Sequence, residues 1–408
     1  DELLQNVERI VVSPGLALDH PLLIAARSAD IPLTNDVQLF VDHLQQSGTN
    51  CQVAAVTGSN GKSTVVSALA QWADFLGFPA HALGNIGTAV LDALPTIQDG
   101  DKVILELSSF QLELIERLGA DCAVLLNLTP DHLDRHGTQQ AYWLAKQRIF
   151  QGAKTVVVNR DDPLSMPLEP YKQQGQLQRL LRFGLAEPNR DEFGLMSRSQ
   201  GRYLAHGHTP LMLESVLAMR GGFNLSNVLC IVAMAECLQW PWRAGLAFFE
   251  QFNGLPYRCQ QLLTNDDITW FNDSKGTNIG ATMAAIERVL SIDQNLHWWW
   301  IAGGQAKGAD FTQLAKLLAK SASTGTLQGC ILYGQDARKI QQALQVYEID
   351  VFLCEDLACA VASARKFAQA DSYINKGVIF SPACASLDQF ANFEERGARF
   401  TALVQAEL

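Results

Sequence analysis

The eight residues Thr57-Gly58-Ser59-Asn60-Gly61-Lys62-Ser63-Thr64 constrain this chain more than any other stretch, because they follow the apolar run Val53-Ala54-Ala55-Val56 and open an amphipathic helix. A buried strand, a glycine turn and a helix in that order call for a parallel α/β layer around them. The glycines let the backbone approach phosphate oxygens and aim N–H groups at them. Lys62 adds a point charge toward the β- and γ-phosphates, and the Ser63 hydroxyl is placed for Mg²⁺. Only Ser59 and Asn60 stand between Gly58 and the Gly61-Lys62 pair. The common pattern has four residues there, so this is a shortened loop.

A chain of 408 residues exceeds one ordinary domain, and a hydrophobic content of 48% supports several cores. The formal net charge of −11 argues against nucleic acid or an anionic membrane as a partner. Any anionic substrate must then be met by locally placed Lys and Arg. The nine cysteines show no Cys-x-x-Cys pair and no metal spacing. With no apolar run long enough for a bilayer and no signal-peptide pattern, a reduced, cytoplasmic protein without membrane contact is expected. The run Trp298-Trp299-Trp300 reads as a buried strand. The opening at Asp1, with Ile10 to Gly15 already a strand and turn, leads to the expectation that a first domain lacks its beginning.

From Ile10 to about Gln46 the pattern is the tail of a small α/β unit, with a helix near Pro21 to Ser28. Ser47 to Asn50 is a polar linker. Strands and helices then alternate around the phosphate loop, with Val103-Ile104-Leu105 and Ala123-Val124-Leu125-Leu126 as fully buried parallel strands. These end on Glu106 and on Asn127 to His132. Ligands of open α/β sheets sit beyond the carboxyl ends of the strands, so the loop, Glu106 and Asp131-His132 should converge. Leu164 to Met219 reads as small antiparallel strands appended to the domain. Asn253 to Pro256 marks a boundary, and beyond it strands near 268–271, 298–302, 330–333, 351–353 and 378–380 predict a second doubly wound unit.

Individual residues leave alternatives open. Glu106 faces phosphate-bound Mg²⁺ or caps the next helix. His132 beside Asp131 is a metal ligand or a surface histidine, and His132 with His136 lacks a third soft ligand for zinc. Lys146 sits toward an apolar helix face, where a snorkelling lysine is the simpler reading. Loops after three strands, Asn272 to Asn278, Gly303 to Lys307 and Ser381 to Ser386, form one binding rim. Cys384 has no histidine base nearby and does not read as a nucleophile.

Taken in order, the phosphate loop, Gly84-Asn85-Ile86-Gly87, Glu106 to Gln111, Asp131 to Arg135, Asn272 to Asn278 and Ser381 to Phe390 resemble the Mur ligase family over almost the whole chain. The Ser381 to Phe390 stretch is similar to the branch that adds D-glutamate. The resemblance implies three α/β domains: a truncated N-terminal Rossmann-like domain at 1–47, a central P-loop ATPase domain at 48–253, and a C-terminal Rossmann-like domain at 254–408. It implies an ATP-dependent amide ligase acting on UDP-N-acetylmuramoyl-L-alanine and D-glutamate through an acyl phosphate, in peptidoglycan precursor synthesis, as a monomer.

Roles follow residue by residue from the same resemblance. Gly58, Asn60, Gly61, Lys62, Ser63, Thr64, Asn224, Arg258, Asp273 and Lys275 match ATP-binding positions. Ser13, Gly15, Asn85 and His132 match the uridine-linked substrate site. Asp131, Thr277, Lys307, Ser386, Leu387 and Phe393 match the D-glutamate pocket. Two Mg²⁺ ions are implied, with Ser63, Glu106, His132 and a carbamylated Lys146 as ligands, and Lys62, His132 and Lys146 as catalytic residues. A carbamate replaces a repelling ammonium by anionic oxygens. The chain departs from the family at Gly222-Phe223-Asn224, which lacks the usual histidine before the asparagine. The alternatives are another amide ligase of the family, such as a folylpolyglutamate synthase, or a P-loop ATPase.

Overall fold

The computed structural model describes residues 2–129, 131–172, 177–219, 222–262, 264–293, 295–306 and 308–406. It divides into two compact units, Asp1–Phe252 and Asn253–Leu408.

The first unit is built on a nine-stranded sheet. Its strands, in spatial order, are Thr209–Leu213, Gly201–His206, Glu192–Arg198, Arg179–Phe183, Thr155–Asn159, Cys122–Leu125, Gln52–Thr57, Lys102–Glu106 and Ala80–Gly84. Neighbours from Glu192–Arg198 through Ala80–Gly84 pair parallel. Only two pairings are antiparallel, Gly201–His206 with Glu192–Arg198 and with Thr209–Leu213. The segment read as appended antiparallel strands therefore extends the main sheet. Its short period-two runs had given no sign that Arg179–Phe183 pairs parallel with Thr155–Asn159.

Central strands such as Val103-Ile104-Leu105 are apolar at every position because both faces of the sheet are covered. One face carries the helices Lys62–Phe75 and Gly222–Cys237. On the other, the helix Asp36–Ser47 packs Val37, Phe40, Val41 and Leu44 into the core with Val103, Leu105 and Leu125. That helix is capped by Asn35, whose side chain accepts from Gln38 N at 2.9 Å, and it ends at Gly48 with φ 70°. Asn35 Nδ2 also donates to Gln111 O at 2.6 Å. Residues 36–47, assigned above to a separate domain, thus share a core with the central sheet. A two-stranded parallel pair, Ile10–Val11 with Leu33–Thr34, precedes them.

The register fixes what meets at the sheet's upper edge. Val56 and Gly84 both pair with Glu106, and Thr57 pairs with Leu125. The segments leaving these strands therefore start side by side.

The second unit has a six-stranded sheet in the order Gln260–Leu262, Ile268–Asn272, Lys376–Phe380, His297–Gly303, Leu327–Tyr333 and Val351–Leu353. All pairs are parallel except the first. Trp298 and Trp300 enter the core on one face while Trp299 enters it on the other, as strand alternation requires. Each face is thereby filled by large rings, which accounts for the tryptophan run.

Candidate active site

The phosphate loop is held against the neighbouring strand end at Leu126 and Asn127. Gly58 adopts φ 156° and Gly61 φ 87°, and Gly61 leads into the helix Lys62–Phe75 without a side-chain cap. A Cβ on Gly58 would stand 3.0 Å from Leu126 Cβ, so the loop lies directly on the neighbouring strand. Asn127 clamps it there: its Oδ1 accepts from Asn60 N at 2.9 Å, its Nδ2 donates to Asn60 O at 3.0 Å, and its own carbonyl accepts from Ser59 N at 3.0 Å. The uncapped amides at the start of a 14-residue helix, with Ser63 and Thr64 in its first turn, form an anion-seeking end.

Beside the loop, Glu106 is 2% exposed. Its one oxygen, Oε1, accepts from Asn85 Nδ2 at 3.0 Å, and Oε2 has no partner among the described residues. A buried carboxylate oxygen left open is costly unless something cationic completes it. Asn85 is delivered by the turn at Gly84, whose φ of 99° and close approach to Glu106 O exclude a side chain. No three His, Cys, Asp or Glu side chains gather as a cage among the described residues. The donor set therefore suits Mg²⁺, which keeps waters and takes phosphate oxygens, better than a closed zinc site.

Lys146 is 1% exposed, on the helix Gln139–Gln147 capped by Thr138. Its Nζ donates to Thr57 Oγ1 at 3.2 Å and to Gly58 O at 2.9 Å, and lies 4.8 Å from the Tyr142 ring centroid. Burial, with Lys62 as a second cause, pushes its amine well below the ordinary lysine value. The snorkelling reading is thus corrected: helix packing turns this side chain inward, under the loop. Tyr142 lies 3.1 Å from the Ser59 hydroxyl, and burial pushes its phenol up to about 12.

Lys146 and Tyr142 line a cavity of about 260 Å³ together with Pro14, Gly15, Lys62, Asn85, Ser108, Ser109, Phe110, Asp131 and His132. Ser13 adjoins Pro14 in the chain but is not among its lining residues. Asp131 and His132 are each about half exposed. His132 adopts φ 51° and sits edge-on to Phe110, ring centroids 4.9 Å apart. Asn224 is buried at the start of the helix Gly222–Cys237, one turn from the equally buried Asn227, whose Nδ2 has no partner among the described residues.

In the second unit the strand-end loops are cross-tied. Gln305 and Ala385 exchange backbone hydrogen bonds at 2.9 and 3.0 Å. Asp273 is buried and accepts from Ser381 Oγ at 2.6 Å and from Cys259 N at 3.1 Å, and burial pushes its carboxyl up to about 7. Lys275 Nζ lies 4.1 Å over the Phe393 ring. Thr277 is half-buried in the same loop, Ser386 is buried and Leu387 is exposed. Arg258 is half-buried between Tyr257 and Cys259, both at positive φ. Cys384 is buried, and burial pushes its thiol up to about 12, which leaves it inert. Lys307 lies outside the described residues.

Sequence reasoning missed two structural linchpins. Asn127 was read only as a strand end; its position opposite a phosphate loop was the available signal. Arg396, fully buried, donates to Ser274 Oγ at 3.0 Å, Ser274 O at 2.8 Å and Cys384 O at 3.0 Å. Nothing local in the helix Phe393–Gln405 marks it as a buried arginine.

Residues 56–235 match the Mur ligase middle domain, and residues 257–384 match the glutamate ligase domain of the Mur ligases. A UDP-N-acetylmuramoylalanine–D-glutamate ligase of Psychrobacter cryohalolentis is 39% identical over 99% of this chain and 84% of its own length. One of the same name from Legionella pneumophila is 40% identical over 99% of this chain and 86% of its length. Among solved structures, the UDP-N-acetylmuramate-alanine ligase of Thermotoga maritima shares the fold with a TM-score of 0.58 and 18% identity, over 96% of this chain and 84% of its own. A bifunctional folylpolyglutamate synthase/dihydrofolate synthase of Yersinia pestis gives 0.60 and 17%, over 90% and 92%. With a nucleotide loop and an open carboxylate on its first sheet and matches that span nearly its whole length, the chain belongs to the Mur ligase family.

Proposed function

We propose that this chain joins D-glutamate to UDP-N-acetylmuramoyl-L-alanine, converting ATP to ADP and phosphate, in the cytoplasmic synthesis of peptidoglycan precursors. The observation that carries the reading is the single cavity where Lys62, Lys146 and Asn85 meet, the last holding the half-satisfied Glu106. Relatives bearing that activity in their names are 39–40% identical to the chain, which supports the choice of substrates. No helix among the described residues is long and apolar enough to cross a membrane.

A carboxylate has no adequate leaving group, so it must first be activated. Its oxygen attacks the γ-phosphorus, the bond to the β-phosphate oxygen breaks, and ADP leaves an acyl phosphate behind. The loop amides, Gly58 to Thr64, and Lys62 hold the triphosphate and offset the repulsion between two approaching anions. Bound Mg²⁺, in two ions held by Ser63, Glu106, His132 and Lys146 as its carbamate, would supply further charge neutralisation on phosphate oxygens. Asn85, with Ser13 and Gly15, orients the muramoyl substrate. The D-glutamate amine, after losing a proton, attacks the acyl carbon and phosphate departs. By the family resemblance, Asp131, Thr277, Lys307, Ser386, Leu387 and Phe393 are assigned to the amino acid, and Asn224, Arg258, Asp273 and Lys275 to the nucleotide.

The test is acyl-dependent phosphate release with product identification by mass. Uridine-linked muramoyl-alanine and a folate are each offered with D- and L-glutamate. Product from the muramoyl substrate with D-glutamate alone is expected. Phosphate release without any acyl substrate would point to a simple ATPase. Lys307→Ala is expected to raise KM for D-glutamate more than for ATP.

A further inference from the structure

Two adjacent serines line the cavity, and their hydroxyls are engaged differently. Ser108 is consumed locally: it accepts from Gln111 N at 3.2 Å and donates to Gln111 Oε1 at 3.1 Å, completing a capping box. Ser109 turns instead to His136, with Oγ 3.0 Å from Nε2. The other ring nitrogen, Nδ1, stands 3.4 Å from Glu113 Oε1, and Glu113 is itself fixed by Arg135 at 2.7 Å.

This arrangement decides where the Ser109 proton lies. A carboxylate facing Nδ1 calls for a proton on Nδ1, so Nε2 is the acceptor. Nε2 then accepts a hydrogen bond from the Ser109 hydroxyl. The lone pairs of Ser109 Oγ have no donor among the described residues, although the residue is 2% exposed and borders the cavity. A buried oxygen restricted to accepting selects a ligand that brings a hydrogen-bond donor, an N–H or an O–H.

We infer that Ser109, oriented by His136 and Glu113, is a substrate-binding residue that accepts a hydrogen bond from the amide N–H adjoining the reacting carboxylate of the acyl substrate. The inference rests on the ligase reading above, since that substrate carries an alanyl amide next to its carboxylate. His136 and Glu113 are positioning residues, acting only through Ser109. The serine ahead of the phenylalanine thereby contributes to selection of the acyl substrate, separately from the nucleotide loop.

The experiment is a binding cycle on the full chain, read by calorimetry without ATP and by steady-state kinetics. Ser109→Ala is expected to weaken binding of UDP-N-acetylmuramoyl-L-alanine roughly tenfold, the size of one well-made hydrogen bond, with KM for ATP and D-glutamate unchanged. The analogue carrying N-methylalanine is expected to bind wild type more weakly by a similar factor and to lose nothing further on Ser109→Ala. His136→Gln, which retains an acceptor for the serine proton, is expected to bind close to wild type, while His136→Phe resembles Ser109→Ala. Circular dichroism confirms folding of each variant. The inference is overturned if the two losses multiply, or if the effect of Ser109→Ala falls on D-glutamate. Binding of the acyl substrate by wild type without product formation would count against the ligase reading while leaving the calorimetric cycle decisive for Ser109; absence of binding to wild type would overturn both.

Discussion

Lys62 and Lys146 donate to the same acceptor: the carbonyl oxygen of Gly58 receives both ammonium groups, at 2.8 and 2.9 Å. Lys62 comes from the helix that follows the loop, Lys146 from beneath it. Burial first, and the neighbouring Lys62 charge second, lower the pKa of the Lys146 amine, so the buried partner is the one that gives up its proton. Carbon dioxide adds only to the neutral amine, so this placement prepares Lys146 for the carbamate proposed above.

Lys146→Ala is expected to lower kcat by roughly 100-fold or more, the scale of losing one charge-organising group at a phosphoryl-transfer centre. Formate or acetate is expected to restore part of it by occupying the vacated space with anionic oxygens. Full turnover by the variant without added carboxylate would remove the carbamate from the mechanism.

Asn127 brackets the peptide of Asn60 with both ends of its amide. Asn127→Ala frees the loop to sample other conformations and is expected to raise KM for ATP by about tenfold, matching the loss of one net hydrogen bond and some preorganisation. KM for D-glutamate should not move. Initial-rate kinetics varying each substrate separate the two.

Asp273 holds its proton up to about pH 7 because burial penalises the carboxylate. Between about pH 4 and pH 7 the folded chain therefore binds a proton that the unfolded chain has released. The sign follows: this group's stabilisation is present below about pH 4 and is lost as the pH rises through 7, by at most ~4 kcal/mol. Asp273→Asn, which keeps an acceptor for Cys259 N, is expected to flatten that slope. Urea unfolding of both proteins at pH 5 and pH 8 measures it, and parallel pH profiles would show that Asp273 is ionised when folded.

Arg396 spans the loops of Asn272–Asn278 and Ser381–Ser386 through carbonyls and a hydroxyl rather than through a carboxylate. Arg396→Met leaves buried acceptors without donors and is expected to cost about 3 kcal/mol or more in the second unit. A separate, earlier transition in chemical unfolding is the expected signature. Coincident transitions, unchanged from wild type, would mean that solvent replaces the guanidinium.

The parallel α/β layers were legible in the residues, because short, fully apolar runs such as Val103-Ile104-Leu105, alternating with amphipathic stretches, fit strands of a sheet covered on both faces. So was the phosphate loop, since that chemistry is written in consecutive residues. Tertiary structure alone decided which side chains from distant segments share one space. The burial of Lys146 under Gly58, the open oxygen of Glu106, the hold of Asn127 on Asn60 and the turn of Ser109 toward His136 all depend on strand register and helix packing. Local periodicity reports which face of an element is buried, and only packing reports what that face meets.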